Sequence, residues 1–153
     1  VESGKCRYEL PPSNNIDRVE GTALPGTVAV AAKMVGTEWF PDVTGSILIL
    51  EDVDEPMHKV DGYLGQIRMA GFFEKAAGTV LGTFSPVEKE PYPSVPTLDA
   101  VIDRIFDGVK APLGRHTRYG HIKQKIAVPC GLPICVSLGQ HSEMYNPISL
   151  YDF

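Results

Sequence analysis

Four acids within five positions, Glu51, Asp52, Asp54 and Glu55, follow directly on four large aliphatics, Ile47-Leu48-Ile49-Leu50. The aliphatic run has the length and composition of a buried strand, so the acids stand where that strand ends. In an open α/β sheet, ligands sit outside the carboxyl ends of the strands, which gives carboxylates placed there a claim to chemistry. The competing reading is a solvated loop after a core strand, since most charge runs lie on the surface. The second chemical element is Gly120-His121, ahead of a hairpin-like run from Ile126 to Val136 that contains Pro129-Cys130-Gly131. A carboxylate at one strand end and a histidine before another make two thirds of a nucleophile-activating triad, in which the imidazole takes a hydroxyl proton and the acid orients the imidazole.

The remaining third is missing. No stretch reads Gly-x-Ser-x-Gly, and Ser46 and Ser137 lie inside apolar strand patterns where a nucleophile would not reach solvent. Cys130, nine residues from His121, could be read as a thiol nucleophile. A cysteine in a Pro-Cys-Gly turn is more simply a small filler, and Cys130 and Cys135 are expected to be reduced and buried. The three cysteines, with Cys6, are an odd number and give no framework of bridges. His58 and His141 read as surface residues, and His116 falls in a basic, turn-rich stretch. No H-x-x-x-H or C-x-x-C spacing sits on a recognisable element, so neither a metal site nor any other cofactor is expected.

The elements that must position these groups alternate helix and strand. Pro25-Gly26-Thr27 opens a short helical pattern with Val28, Ala31, Ala32 and Val35 on one face, stopped by Gly36. Ser46 to Leu50 is the buried strand. A helix is expected from about Val60 to Ala70, with Val60, Tyr63, Leu64 and Ile67 inward and Gly71 as a left-handed cap. Thr79 to Phe84 reads as a second buried strand. After a proline-rich loop, Thr97 is a credible N-cap for a helix in which Leu98, Val101, Ile102, Ile105 and Phe106 form the apolar stripe. Two short strands, about 125–129 and 133–138, are expected across a tight turn, and the tail from Gln140 to Phe153 has no clear period. Residues 1–20 read as a linker rich in turn formers, and 21–153 as one α/β domain.

Composition is consistent with this. With 153 residues, 43% hydrophobic and 22% charged, the chain is of single-domain length. Its net charge of −5 and scattered Lys and Arg argue against a nucleic-acid or anionic-membrane partner. No apolar run approaches the roughly 18 residues of a membrane span.

The order Gly36-Thr37, Phe40-Pro41-Asp42, Thr44-Gly45, Ile47 to Val53, Gln66 to Phe72, Gly78 to Phe84, Gly120-His121 and Pro129-Cys130-Gly131 resembles the C-terminal half of the LD-carboxypeptidase family, over about residues 18 to 138. The family comprises serine peptidases with a Ser, Glu, His triad and includes the microcin-immunity peptidases. The resemblance places the glutamate on Glu51 and the histidine on His121. It implies a compact β/β/α unit of the swivelling kind, the C-terminal half of a two-domain peptidase. The family's serine sits in a flavodoxin-like N-terminal domain, in a Gly-aromatic-Ser-Asp turn that has no counterpart here. This chain by itself is therefore expected to be inactive. Its start on Val1 and its turn-rich first residues fit a piece cut from a longer protein.

The activity implied is hydrolysis of the L,D bond of a murein tetrapeptide during cytoplasmic cell-wall recycling, or of a related small peptide conjugate. The rival is a non-catalytic binding or scaffold homologue that keeps Glu51 and His121 by descent. The face that a partner domain would cover is expected to be apolar, which leaves dimerisation through it open. The chain departs from the family pattern in Leu24-Pro25-Gly26-Thr27, where Gly-Gly-Asn-Leu is usual, in Asp61-Gly62 for Asp-Arg, and in Ile122-Lys123 after the Gly-His pair.

Overall fold

β3 (Ser46–Val53) is buried along almost its whole length and organises the rest, as an aliphatic run of both parities requires. In the computed structural model, which describes residues 7–10, 16–85, 94, 96–115, 117–138 and 142–145, β3 lies parallel to β2 (Ile16–Thr27) on one side and to β4 (Gly78–Ser85) on the other. α1 (Val28–Met34) links β2 to β3, and α2 (Met57–Met69) with the short α3 (Phe72–Lys75) links β3 to β4. α4 (Leu98–Phe106) precedes β5 (Leu113–Gly114), which is parallel to β4. On the other side of β2 the sheet becomes antiparallel through β6 (Pro133–Leu138), β7 (Ser142–Tyr145) and β1 (Arg7–Leu10), giving the order β1-β7-β6-β2-β3-β4-β5. The protein is thus an α/β domain on one mixed sheet, as expected.

Alternation along β3 divides the core. Leu48 and Leu50 join the cluster formed by Val28 and Ala32 of α1, Val60, Leu64 and Ile67 of α2, and Ile102 and Phe106 of α4. Ile47 and Ile49 face the other way, into a smaller cluster with Ala23, Val80, Ile134, Val136 and Met144, against which Tyr119, Ile126 and Val128 pack. One face of the sheet is therefore covered by helices and the other by the 119–128 loop. The apolar stripe read for α4 is the one buried, and the Thr97 hydroxyl caps it by accepting from the Ala100 amide at 3.2 Å. Gly71 takes the left-handed conformation expected after α2, with φ 74°.

The expected hairpin is not formed. Residues 125–129 are not a strand, and β6 pairs instead with β2 and β7. Pro129 has no amide to give to a ladder. The turn after it is held to β2 by Gly131 N–H to Ala23 O and Ala23 N–H to Leu132 O, both 2.9 Å. Part of the segment read as a linker, Arg7–Leu10 and Ile16–Glu20, lies in strands of the sheet, and Ser142–Tyr145 in the unpatterned tail is the strand that pairs with β1. No helix among the described residues is long and apolar enough to cross a membrane.

Candidate active site

Period-two alternation sends the two leading acids of the cluster to opposite faces of β3. Asp52 follows Leu48 and Leu50 toward the helices. It is 3% exposed, and its Oδ2 accepts from the Ala29 amide in the first turn of α1 at 2.8 Å while Oδ1 accepts from its neighbour Val53. The sequence suggested a solvated or loop-holding acid; the strand runs three residues further than the aliphatic run, to Val53, and that buries it. Burial pushes its carboxyl above the ordinary carboxylate value, opposed by the two amide donors and reinforced by the negative charges of Glu55 and Glu51.

Asp52→Ala is expected to lower stability at neutral pH by about 1 to 3 kcal/mol, since it strands a buried α1 amide. The pH dependence follows from the raised value. The folded protein holds the proton between the unfolded and folded values, so the contribution of Asp52 is fully present below the ordinary carboxylate range and diminishes as pH rises through the raised value. Thermal melts of the two proteins should therefore lie furthest apart in acid and draw together toward neutrality.

Glu51 follows Ile47 and Ile49 to the loop face and is 2% exposed. It sits opposite Thr27, the last residue of β2, in the parallel register, and the Thr27 hydroxyl donates to its Oε1 at 2.8 Å. The histidine arrives from the other side. Residues 117–119 lie along the end of β4, fixed by Thr117 N–H to Leu81 O at 3.1 Å and Thr83 N–H to Tyr119 O at 2.8 Å. A Cβ on Gly82 would stand 2.3 Å from that Tyr119 oxygen, so only glycine admits the approach. Gly120 then turns with φ 137°, a conformation other residues rarely adopt, and a Cβ there would meet Glu51 Oε2 at 3.0 Å. The turn carries His121 Nδ1 to 2.9 Å from Glu51 Oε2. The histidine side chain is 56% exposed, the glutamate side chain 3%.

The structure thus brings Glu51 and His121 together and adds Thr27, which the sequence offered only as part of a helix opening. Tyr119 packs on the loop face, and burial, then the negative charge of Glu51 and the Cys130 thiol, push its phenol above the ordinary value. It therefore stays protonated at neutral pH. The other acids stand aside: Glu55 pairs with Lys59 at 3.3 Å, and Asp54, at φ 54°, is exposed.

Ser46 donates to Val43 O at 2.7 Å from the far end of β3, roughly 16 Å of strand from Glu51. Ser137 is part of β6. Cys135 is buried as expected, but Cys130 is exposed, in the turn whose next two residues bond to Ala23 of β2. Exposed His58 lines an open groove with Arg68 and Arg104, away from Glu51, and His116, His141 and Cys6 lie outside the described residues. Among the described residues no three His, Cys, Asp or Glu side chains are grouped to hold a metal.

The LD-carboxypeptidase C-terminal domain family matches residues 20–136. The chain belongs to that family. The "Probable murein peptide carboxypeptidase" of Bacillus subtilis is 30% identical over 128 residues, which are 80% of this chain and 39% of that protein. The "Murein tetrapeptide carboxypeptidase" of Pseudomonas aeruginosa is 29% identical over 128 residues, 81% of this chain and 41% of that protein. A crystal structure of muramoyltetrapeptide carboxypeptidase from Oxalobacter formigenes has the same fold, with a TM-score of 0.84 and 26% identity over 97% of this chain and 52% of that one. This LD-carboxypeptidase C-terminal domain therefore spans about two fifths of the length of these curated relatives. Its acid and imidazole meet where the carboxyl ends of parallel β2, β3 and β4 converge, the place an α/β sheet offers to ligands.

Proposed function

We propose that this domain supplies the acid and the base of a serine hydrolase, with the serine hydroxyl carried by a further domain. The observation that carries the reading is the 2.9 Å contact between Nδ1 of a largely exposed histidine and Oε2 of a buried glutamate. With the carboxylate ionised, that contact places the ring proton on Nδ1 and leaves Nε2 as the acceptor. A serine hydroxyl brought to Nε2 gives up its proton as it attacks the amide carbonyl, and Glu51 stabilises the imidazolium that forms. The imidazolium returns the proton to the leaving amine. Water then hydrolyses the acyl-serine by the same general-base route.

Two observations support a nucleophile from another domain. Ser46 lies at the opposite end of β3 from Glu51 and Ser137 lies in β6 level with the start of β2, and relatives named as carboxypeptidases extend well beyond the matched region. Val30, in α1 three residues beyond Thr27, is 55% exposed and offers an apolar contact for such a partner.

The substrate we propose is a murein tetrapeptide, cleaved at its L,D amide bond in cytoplasmic cell-wall recycling, or a related small peptide conjugate. The names of the relatives support the first. The test is an assay of a longer protein that carries this domain. It is expected to release the terminal D-residue and to leave the same peptide intact when the terminal residue is L, whereas the 153-residue chain alone releases nothing. A longer protein that binds the tetrapeptide without cleaving it would turn the reading to a binding domain that has kept the fold.

A further inference from the structure

Thr27 holds the N-cap position of α1 with extended backbone angles, φ −86° and ψ 131°, yet its hydroxyl makes no capping bond. A threonine so placed ordinarily accepts from the amide of the second or third helical residue. Here the second amide, that of Ala29, is taken at 2.8 Å by Asp52. The cap is thus supplied from β3, and the hydroxyl it releases donates to Glu51 Oε1 at 2.8 Å.

We propose that Thr27 is a positioning residue for the acid–base pair, turning the Glu51 carboxylate so that Oε2 faces His121 Nδ1. The terminal torsion of a glutamate is broad, so one bond to an exposed imidazole does not fix the carboxylate plane. A second bond from the junction of β2 and α1 does. That junction is rigid on three counts: Thr27 is paired with Glu51 in the ladder, Asp52 tethers the first turn of α1, and a β-branched side chain is stiff at its first torsion. Neighbouring acids divide the work, Asp52 holding the element and Glu51 receiving the hydroxyl it presents.

The proposal rests on the triad reading above, and its test separates the two. In a longer, active protein, Thr27→Val keeps the shape and removes the hydroxyl. It is expected to lower kcat about tenfold while KM stays within about twofold, as loss of an interaction used in the transition state requires. Thr27→Ser, which restores the hydroxyl, is expected to recover kcat to within about threefold of the parent. In a Glu51→Gln background, Thr27→Val should cause no further loss, because residues acting through one group are not additive.

A Thr27→Val kcat within about twofold of the parent, or an equal loss with and without Glu51, overturns the proposal. So does a rise in KM at constant kcat. If Thr27→Val does not fold, Thr27→Ala is read by the same criteria. Should Glu51→Gln and His121→Ala themselves leave kcat unchanged, the triad reading fails; should they abolish turnover while Thr27→Val does not, this proposal alone fails.

Discussion

Replacing His121 with alanine in a longer protein that carries this domain is expected to lower kcat on a murein tetrapeptide by about 10⁶, by comparison with removal of the base in other triads. The loss should be chemical and not structural. The side chain is 56% exposed, so its removal opens no cavity in the core. Glu51, its buried partner, keeps the Thr27 hydroxyl as a donor when the imidazole is gone. Steady-state rates and a thermal melt on the same preparation make the check. A melt close to that of the parent with turnover lost identifies His121 as the base. A fall in kcat of less than about tenfold would remove it from the mechanism, because a general base contributes at least 10² or so.

What could be read from the sequence was whatever local pattern decides. The stripe of α4 and its Thr97 cap are set by residues within one short segment, so they appear in the structure as read. β3 was legible as a strand but not to its end, because a strand paired on both sides goes on burying residues after the aliphatics stop. That is why Asp52 looked like a loop acid and is instead buried beneath α1. β2 was missed for a different reason. Its Gly21, Pro25 and Gly26 are turn formers by local rule, yet a Cβ on Gly21 would stand 2.5 Å from Gly45 O, so the glycine answers to a neighbouring segment. The hairpin was misread because alternating apolar residues on both sides of Pro-Cys-Gly fit a turn between paired strands, whereas the backbone donors and acceptors of the turn are taken by β2.

The pairing of residues 51 and 121 illustrates the same division. Each element stood out alone, one as an acid cluster after a strand and the other as a Gly-His pair. What brings them together is non-local: the approach of Tyr119 over Gly82 and the turn at Gly120, positions where a side chain would collide with backbone or with Glu51 itself. Thr27 enters the site through strand register, which no spacing along the chain reveals.

Glu51→Gln is expected to lower kcat by about 10⁴ with little change in KM, the cost of losing the orienting acid in comparable triads. Geometry gives the reason. Thr27 donates to Oε1, so an amide at position 51 best places its carbonyl there and turns its NH2 toward His121. The imidazole must then accept at Nδ1, which moves its proton to Nε2, the nitrogen that should receive the serine proton. Turning the amide over restores the tautomer but presents a neutral oxygen to the imidazolium, so the charge goes unanswered. Either way the rate falls, and the fold should not, since the substitution removes a buried charge while keeping its shape. A kcat within about tenfold of the parent would exclude Glu51 as the orienting group. Beside it, Asp52→Ala is expected first to lower the melting temperature. Two carboxylates adjacent in sequence should therefore separate in experiment as they do on the strand, one read out in turnover and the other in stability.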